Sequence, residues 1–90
     1  MGIAAVIVKI MPSSPEADLK EIEDKAKKEM EAEEAQNISF EEKPIAFGLK
    51  AIYMKLALDE AKGTDLIEQK LSSLDSISSV TIEDYRRAFG

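Results

Sequence analysis

Two stretches of this chain are apolar on both faces when they are read as β-strands, and few folds accommodate that pattern. In residues 3–11, aliphatic side chains fill both alternating sets of positions, and Lys9 is the one charged exception. Residues 49–58 repeat the pattern, with Ile52, Met54 and their neighbours on one face and Leu49, Ala51, Tyr53 and Lys55 on the other. A strand that buries both faces belongs in the middle of a sheet. We therefore predict two central strands here.

Two segments with helical periodicity lie between the predicted strands. An apolar stripe predicts a first helix from Pro15 to about Glu34, with Ser14 as its N-cap. A second helix is predicted after a polar turn, with Thr64 or Asp65 as its cap.

Alternating residues predict a second, half-exposed strand over 38–44 and a fourth strand over 77–82, followed by a tail over 83–90. The order is βαββαβ, and right-handed crossovers place the first and third strands in the middle. We predict one α+β domain over residues 1–90. It is a ferredoxin-like α/β sandwich, with a four-stranded antiparallel sheet and two helices on one face.

Composition excludes several classes of protein. The 90 residues contain no Cys and no His, which excludes a disulfide scaffold, a zinc finger and a Cys or His catalytic group. No apolar run approaches the ~20 residues that cross a bilayer, so we expect a cytoplasmic protein without membrane contact. No sequence pattern indicates a catalytic site, a metal site or a cofactor.

The formal net charge of −6 is unevenly distributed. Residues 16–34 hold nine acidic and four basic residues, whereas the rest of the chain holds nine acidic and eight basic residues. This leaves no basic footprint for a phosphate backbone, so direct binding of nucleic acid is not expected. We interpret the acidic helix as a solvated face.

An aromatic residue stands at the predicted turn between the second and third strands. Gly48 can adopt the positive φ that such a turn requires, and Phe47 precedes it directly. A large aromatic at a turn tip either folds back over the sheet edge or is presented to a partner. Both readings stay open on the sequence.

The two arginines of the chain, Arg86 and Arg87, lie within five residues of its end. Tyr85 and Phe89 flank them, and arginine beside aromatic residues is enriched at protein interfaces. A basic end that only aids solubility is the alternative.

Four motifs in order resemble translation elongation factor 1-beta, in its short archaeal form. Residues 45–52, Ile-Ala-Phe-Gly-Leu-Lys-Ala-Ile, resemble the family's [GA]-[FY]-G-[IL]-K-x-[LI] segment. Residues 62–68, Lys-Gly-Thr-Asp-Leu-Ile-Glu, and the later Val-Thr-Ile at 80–82 resemble its second helix and last strand. The opening strand followed by Met-Pro-Ser-Ser-Pro fits the same family.

The resemblance implies a guanine-nucleotide exchange factor for the elongation factor 1-alpha GTPase, acting as a monomer without covalent chemistry. It implies partner-binding residues in two places: Phe47, Gly48, Lys50, Tyr85, Arg86 and Arg87. Arg87 aligns with a lysine of the eukaryotic relatives that disturbs the magnesium and phosphate site of the GTPase. Arginine is larger and flatter than lysine, so this position departs from the family pattern.

A second hypothesis comes from the fold alone. A ferredoxin-like domain can pair its open sheet faces into a dimer and hold a small metabolite there. Leu49, Ala51 and Tyr53 lie on that face and would serve this regulatory function.

Overall fold

The computed structural model describes residues 2–89 and contains six main elements. They are β1 (Ile3–Pro12), α1 (Leu19–Ala32), β2 (Gln36–Pro44), β3 (Lys50–Asp59), α2 (Thr64–Ser72) and β4 (Ile77–Phe89). The strands form one antiparallel sheet in the order β2-β3-β1-β4. The two strands with apolar residues on both faces are therefore the central ones, and the predicted ferredoxin-like sandwich is confirmed.

Both helices pack on the same face of the sheet. Alternation along β1 and β3 places every second side chain on that face, where it meets the apolar stripes of α1 and α2. The core comprises Ala4, Val6, Val8, Ile10, Ile22, Ala26, Met30, Ala35, Ile52, Met54, Leu56, Leu58, Ile67 and Leu71. Each large aliphatic side chain buried there stabilises the fold by ~1.5–3 kcal/mol. The other face of the sheet is left without a covering layer.

Neither helix begins as predicted. Asp18, not Ser14, caps α1, because its carboxylate accepts a hydrogen bond from the Glu21 backbone N–H at 3.2 Å. The Ser14 carbonyl instead accepts from the Ala17 N–H at 3.2 Å, which closes a turn before the helix. At α2 the cap is Gly63 with a φ of 74°, so the predicted side-chain cap at residue 64 or 65 is wrong. No segment with helical geometry in residues 2–89 is long and apolar enough to cross a membrane.

The fourth strand does not end at residue 82, and that prediction is also wrong. Residues 83–89 continue β4, with Arg86 opposite Ala5 and Arg87 opposite Ala4 on β1. Three register shifts absorb the extra residues of β4. A charged segment can form an edge strand, because one side of its backbone pairs with β1 while its side chains reach water. The basic end of the chain is therefore part of the sheet through Arg87.

Candidate functional site

The first candidate surface is the hairpin tip, residues 45–49 between β2 and β3. The Ile45 N–H donates to the Leu49 carbonyl at 2.8 Å, and the Leu49 N–H donates to the Ala46 carbonyl at 3.2 Å. Phe47 lies between them with a φ of 61° and 93% of its surface exposed. It does not fold back over the sheet edge. A bulky residue in this left-handed region costs ~1–2 kcal/mol, so the tip holds an exposed aromatic in a strained conformation.

The neighbours of Phe47 fix the shape of the tip. Gly48 has a φ of 75°, and a Cβ placed on it would lie 4.0 Å from the Cβ of Pro15. Space is therefore available, and it is the backbone conformation that requires glycine. Lys50 pairs with Pro44 at the base of the hairpin and is exposed. The three predicted residues Phe47, Gly48 and Lys50 thus share one end of the molecule.

The second candidate surface is the β4 end, residues 85–87. Tyr85 and Arg87 lie opposite Val6 and Ala4, whose side chains face the helices, whereas Arg86 lies opposite Ala5 on the open face. Two adjacent arginines therefore point to opposite faces of the strand.

A carboxylate contacts each of these arginines. The Arg86 Nε lies 2.9 Å from Oδ2 of Asp84 on the same strand. The Arg87 Nε lies 3.3 Å from Oε2 of Glu60, which follows β3. Both guanidinium side chains remain more than 70% exposed, so each can still contact a partner.

The hairpin tip and the β4 end lie at opposite ends of the sheet. Arg87 pairs with the beginning of β1, whereas the hairpin connects β2 to β3 beside the end of β1. Ten residues of strand at ~3.3 Å each separate the two ends by about 30 Å. The sequence-predicted residues therefore form two surfaces and not one site.

The charges on the open face of the sheet nearly balance, although the chain as a whole is acidic. Its charged residues are four basic and three acidic by strand register: Lys9, Lys43, Lys55 and Arg86, with Glu41, Asp59 and Asp84. A shallow groove of about 480 Å³ crosses this face between Ala5, Lys55, Ala57 and Arg86.

The residues predicted for a metabolite site do not line this groove. Ala51 is fully buried, and the Nζ of Lys43 lies 4.9 Å from the ring centroid of Tyr53. Leu49 is half-buried. The three side chains therefore leave little surface for a ligand.

One pair of carboxyl groups escaped the sequence analysis. Burial, and after it a hydrogen bond to Glu42 on β2, raises the pKa of Glu23 on α1 from 4.5 to about 7. The two residues are far apart in the chain, so no spacing rule links them. Their proximity makes the contact between α1 and β2 sensitive to pH. Within residues 2–89, no cluster of three or more metal-binding side chains occurs.

A second carboxylate has the opposite shift. Glu33 lies 3.3 Å from the Lys62 Nζ and 3.4 Å from the Lys70 Nζ, and these contacts lower its pKa. They connect the end of α1 to the beginning and end of the α2 region.

Comparison with known proteins decides the family. Residues 5–88 match the model of the EF-1 guanine nucleotide exchange domain. The chain belongs to this family. Elongation factor 1-beta of Methanosphaera stadtmanae is 40% identical over 97% of this chain and 98% of its own length. The same factor is 39% identical in Methanosarcina acetivorans, over 96% and 99%. In Natronomonas pharaonis it is 36% identical, over 97% and 99%.

A solved structure supports the fold alone. The chain described as BlrP1 BLUF superposes with a TM-score of 0.57 and 11% sequence identity, covering 98% of this chain and 56% of that one. At this identity the likeness says nothing about activity.

Membership of the exchange-domain family confirms the resemblance seen in the sequence. The protein is a nucleotide exchange factor of translation elongation, of archaeal type. Its family is defined by the guanine nucleotide exchange domain. These relatives favour the exchange function over the metabolite-binding hypothesis.

Proposed function

We propose that this chain binds the elongation factor 1-alpha GTPase through two separate surfaces, the hairpin tip and the β4 end. The observation that carries the proposal is Phe47, which is 93% exposed in a left-handed conformation. An exposed aromatic contributes nothing to its own core, and backbone strain of this kind clusters at functional positions. Aromatic anchors and arginines are the residues that dominate binding energy at interfaces.

Exchange requires differential binding and no reactive group. A factor that binds the nucleotide-free GTPase more tightly than the loaded one weakens nucleotide binding by the same ratio. The hairpin tip would contribute equally to binding of the nucleotide-free and the loaded GTPase, because the contact of an apolar anchor does not depend on the nucleotide.

Arg87 would contribute to the difference in affinity between the nucleotide-free and the loaded GTPase. The phosphate and magnesium site of a GTPase is rich in negative charge, and a cation brought to it competes with the metal. Arg87 is three-quarters exposed at the β4 end and carries a positive charge. Its planar guanidinium also binds phosphate oxygens in pairs, which a lysine does not.

We also propose that residues 1–90 act as one monomeric exchange domain in the cytoplasm, without direct binding of nucleic acid. The formal charge of −6 supports the last point, because an overall excess of acidic residues disfavours the approach of a polyanion.

The test is release of fluorescent GDP from the cognate elongation factor 1-alpha, measured over a range of concentrations of this chain. Acceleration that saturates gives a maximal rate and a half-saturating concentration. If the chain does not accelerate release under conditions where the GTPase binds GDP normally, the proposed function is refuted.

A further inference from the structure

We propose that Glu60 is a positioning residue for Arg87, holding the guanidinium where the GTPase meets it. The inference rests on the proposed function, because it assigns a role to the surroundings of the β4 end.

The backbone of Glu60 is anchored and one of its carboxylate oxygens is buried, while the side chain as a whole is 29% exposed. The Glu60 N–H donates to the Gly2 carbonyl at 3.0 Å, which ties the residue after β3 to the beginning of the chain. Oε2 of Glu60 is buried and has no hydrogen-bond partner within the described residues. Nearly all buried oxygens in proteins have one, so an exception needs a reason. The Arg87 Nε, 3.3 Å from this oxygen, supplies the opposite charge.

Gly2 makes room for this arrangement. A Cβ on residue 2 would lie 2.5 Å from the carboxyl carbon of Glu60 and 2.7 Å from both of its oxygens. Any side chain there displaces the carboxylate, which is the flexible end of its residue, while the backbone stays in place. Glycine at this position therefore keeps Glu60 beneath Arg87.

The pair differs from its neighbour on β4. Arg86 contacts Asp84 two residues away, so that pair moves with the strand. Glu60 comes from a different part of the sheet and fixes Arg87 relative to the whole scaffold. An arginine has large rotamer freedom, and holding it in the binding conformation removes a cost that binding otherwise carries. Contact at Nε leaves the guanidinium three-quarters exposed for phosphate oxygens.

The experiment compares Glu60→Gln, Gly2→Ala, Arg87→Ala and the double variant Glu60→Gln/Arg87→Ala in the GDP-release assay. Glu21→Gln is the matched control, because it removes an exposed ion pair with Lys25 on α1, away from both surfaces. Thermal unfolding of every variant checks that the fold is kept. The maximal rate and the half-saturating concentration are determined separately.

We expect Glu60→Gln and Gly2→Ala each to lower the maximal rate about threefold to tenfold. The half-saturating concentration should change less. In the Arg87→Ala background, Glu60→Gln should have no further effect, because it acts through the arginine. Glu21→Gln should match the wild type.

Two results would overturn the inference. One is an unchanged rate for Glu60→Gln while the wild type accelerates GDP release. The other is the same fold loss in the Arg87→Ala background, which would make Glu60 a residue of the fold only. If the wild type itself gives no acceleration, the proposed function fails, and the inference fails with it.

Discussion

Replacing Phe47 with alanine separates a presented anchor from a core residue. Less than a tenth of the Phe47 surface is covered in the free chain, since 93% is exposed. A phenylalanine buries ~150–250 Å² when fully covered. At ~25 cal/mol per Å², the loss of stability is therefore below about 0.6 kcal/mol, or ~4 °C in Tm. An interface anchor costs ~2 kcal/mol or more on truncation, which is about 30-fold in affinity.

Two measurements on Phe47→Ala give these numbers. Urea unfolding reports the free energy of unfolding, and titration of GDP release reports the half-saturating concentration. Phe47→Gly adds a check on the backbone, because glycine adopts the φ of 61° without strain. We expect Phe47→Gly to be ~1 kcal/mol more stable than Phe47→Ala and equally weak in exchange.

Phe40→Ala is the matched control, since Phe40 lies opposite Met54 on β3 and is half-buried against the core. It should lose ~2–3 kcal/mol of stability, somewhat less than a fully buried phenylalanine, and keep its exchange activity per folded molecule. A large loss of stability for Phe47→Ala with normal half-saturation would refute the anchor role.

Three further predictions concern Arg86, Arg87, Phe47 and Glu23. In GDP release, Arg87→Ala should lower the maximal rate more than Arg86→Ala does, because the sequence resemblance implies that Arg87 stands in the place of the family's lysine; an equal loss for both would contradict this. Phe47→Ala and Arg87→Ala should combine additively within ~0.5 kcal/mol, because about 30 Å separates the two surfaces and distant sites are independent. The pKa of Glu23 is about 7 in the folded chain, against an ordinary value of 4.5. The contribution of the protonated Glu23 carboxyl to the stability of the fold is therefore complete below pH 4.5 and is lost as the pH rises through 7. In Glu23→Gln, the free energy of unfolding in urea should therefore vary less between pH 5 and 8 than it does in the wild type. At pH 8 the variant should be more stable than the wild type by ~1 kcal/mol, after a reduction for solvent screening at this half-buried site. A pH profile parallel to that of the wild type would refute the raised pKa.

Local patterns in the sequence were sufficient for the architecture. The double-sided apolar runs at residues 3–11 and 49–58 identified the central strands, although in the structure only one face of each strand is buried throughout and the other is largely half-buried or exposed. Phe47 was identified as a candidate because Gly48 behind it permits a turn. The central strands and the turn at Phe47 were predictable because side-chain alternation and turn geometry depend on residues a few positions apart.

The contacts that build the β4 end were decided by the tertiary structure. The sequence of residues 83–87 is charged and reads as a tail, yet its backbone completes hydrogen bonds with β1, which is more than seventy residues earlier. Shorter separations in sequence, of 27 and 19 residues, also hide the contacts of Glu60 with Arg87 and of Glu23 with Glu42 from any local pattern. A strand, a buried carboxylate and a raised pKa depend on what the rest of the chain brings near. Local pattern therefore identified the four strands, whereas only the folded chain determined that the fourth continues to residue 89 and which charges meet.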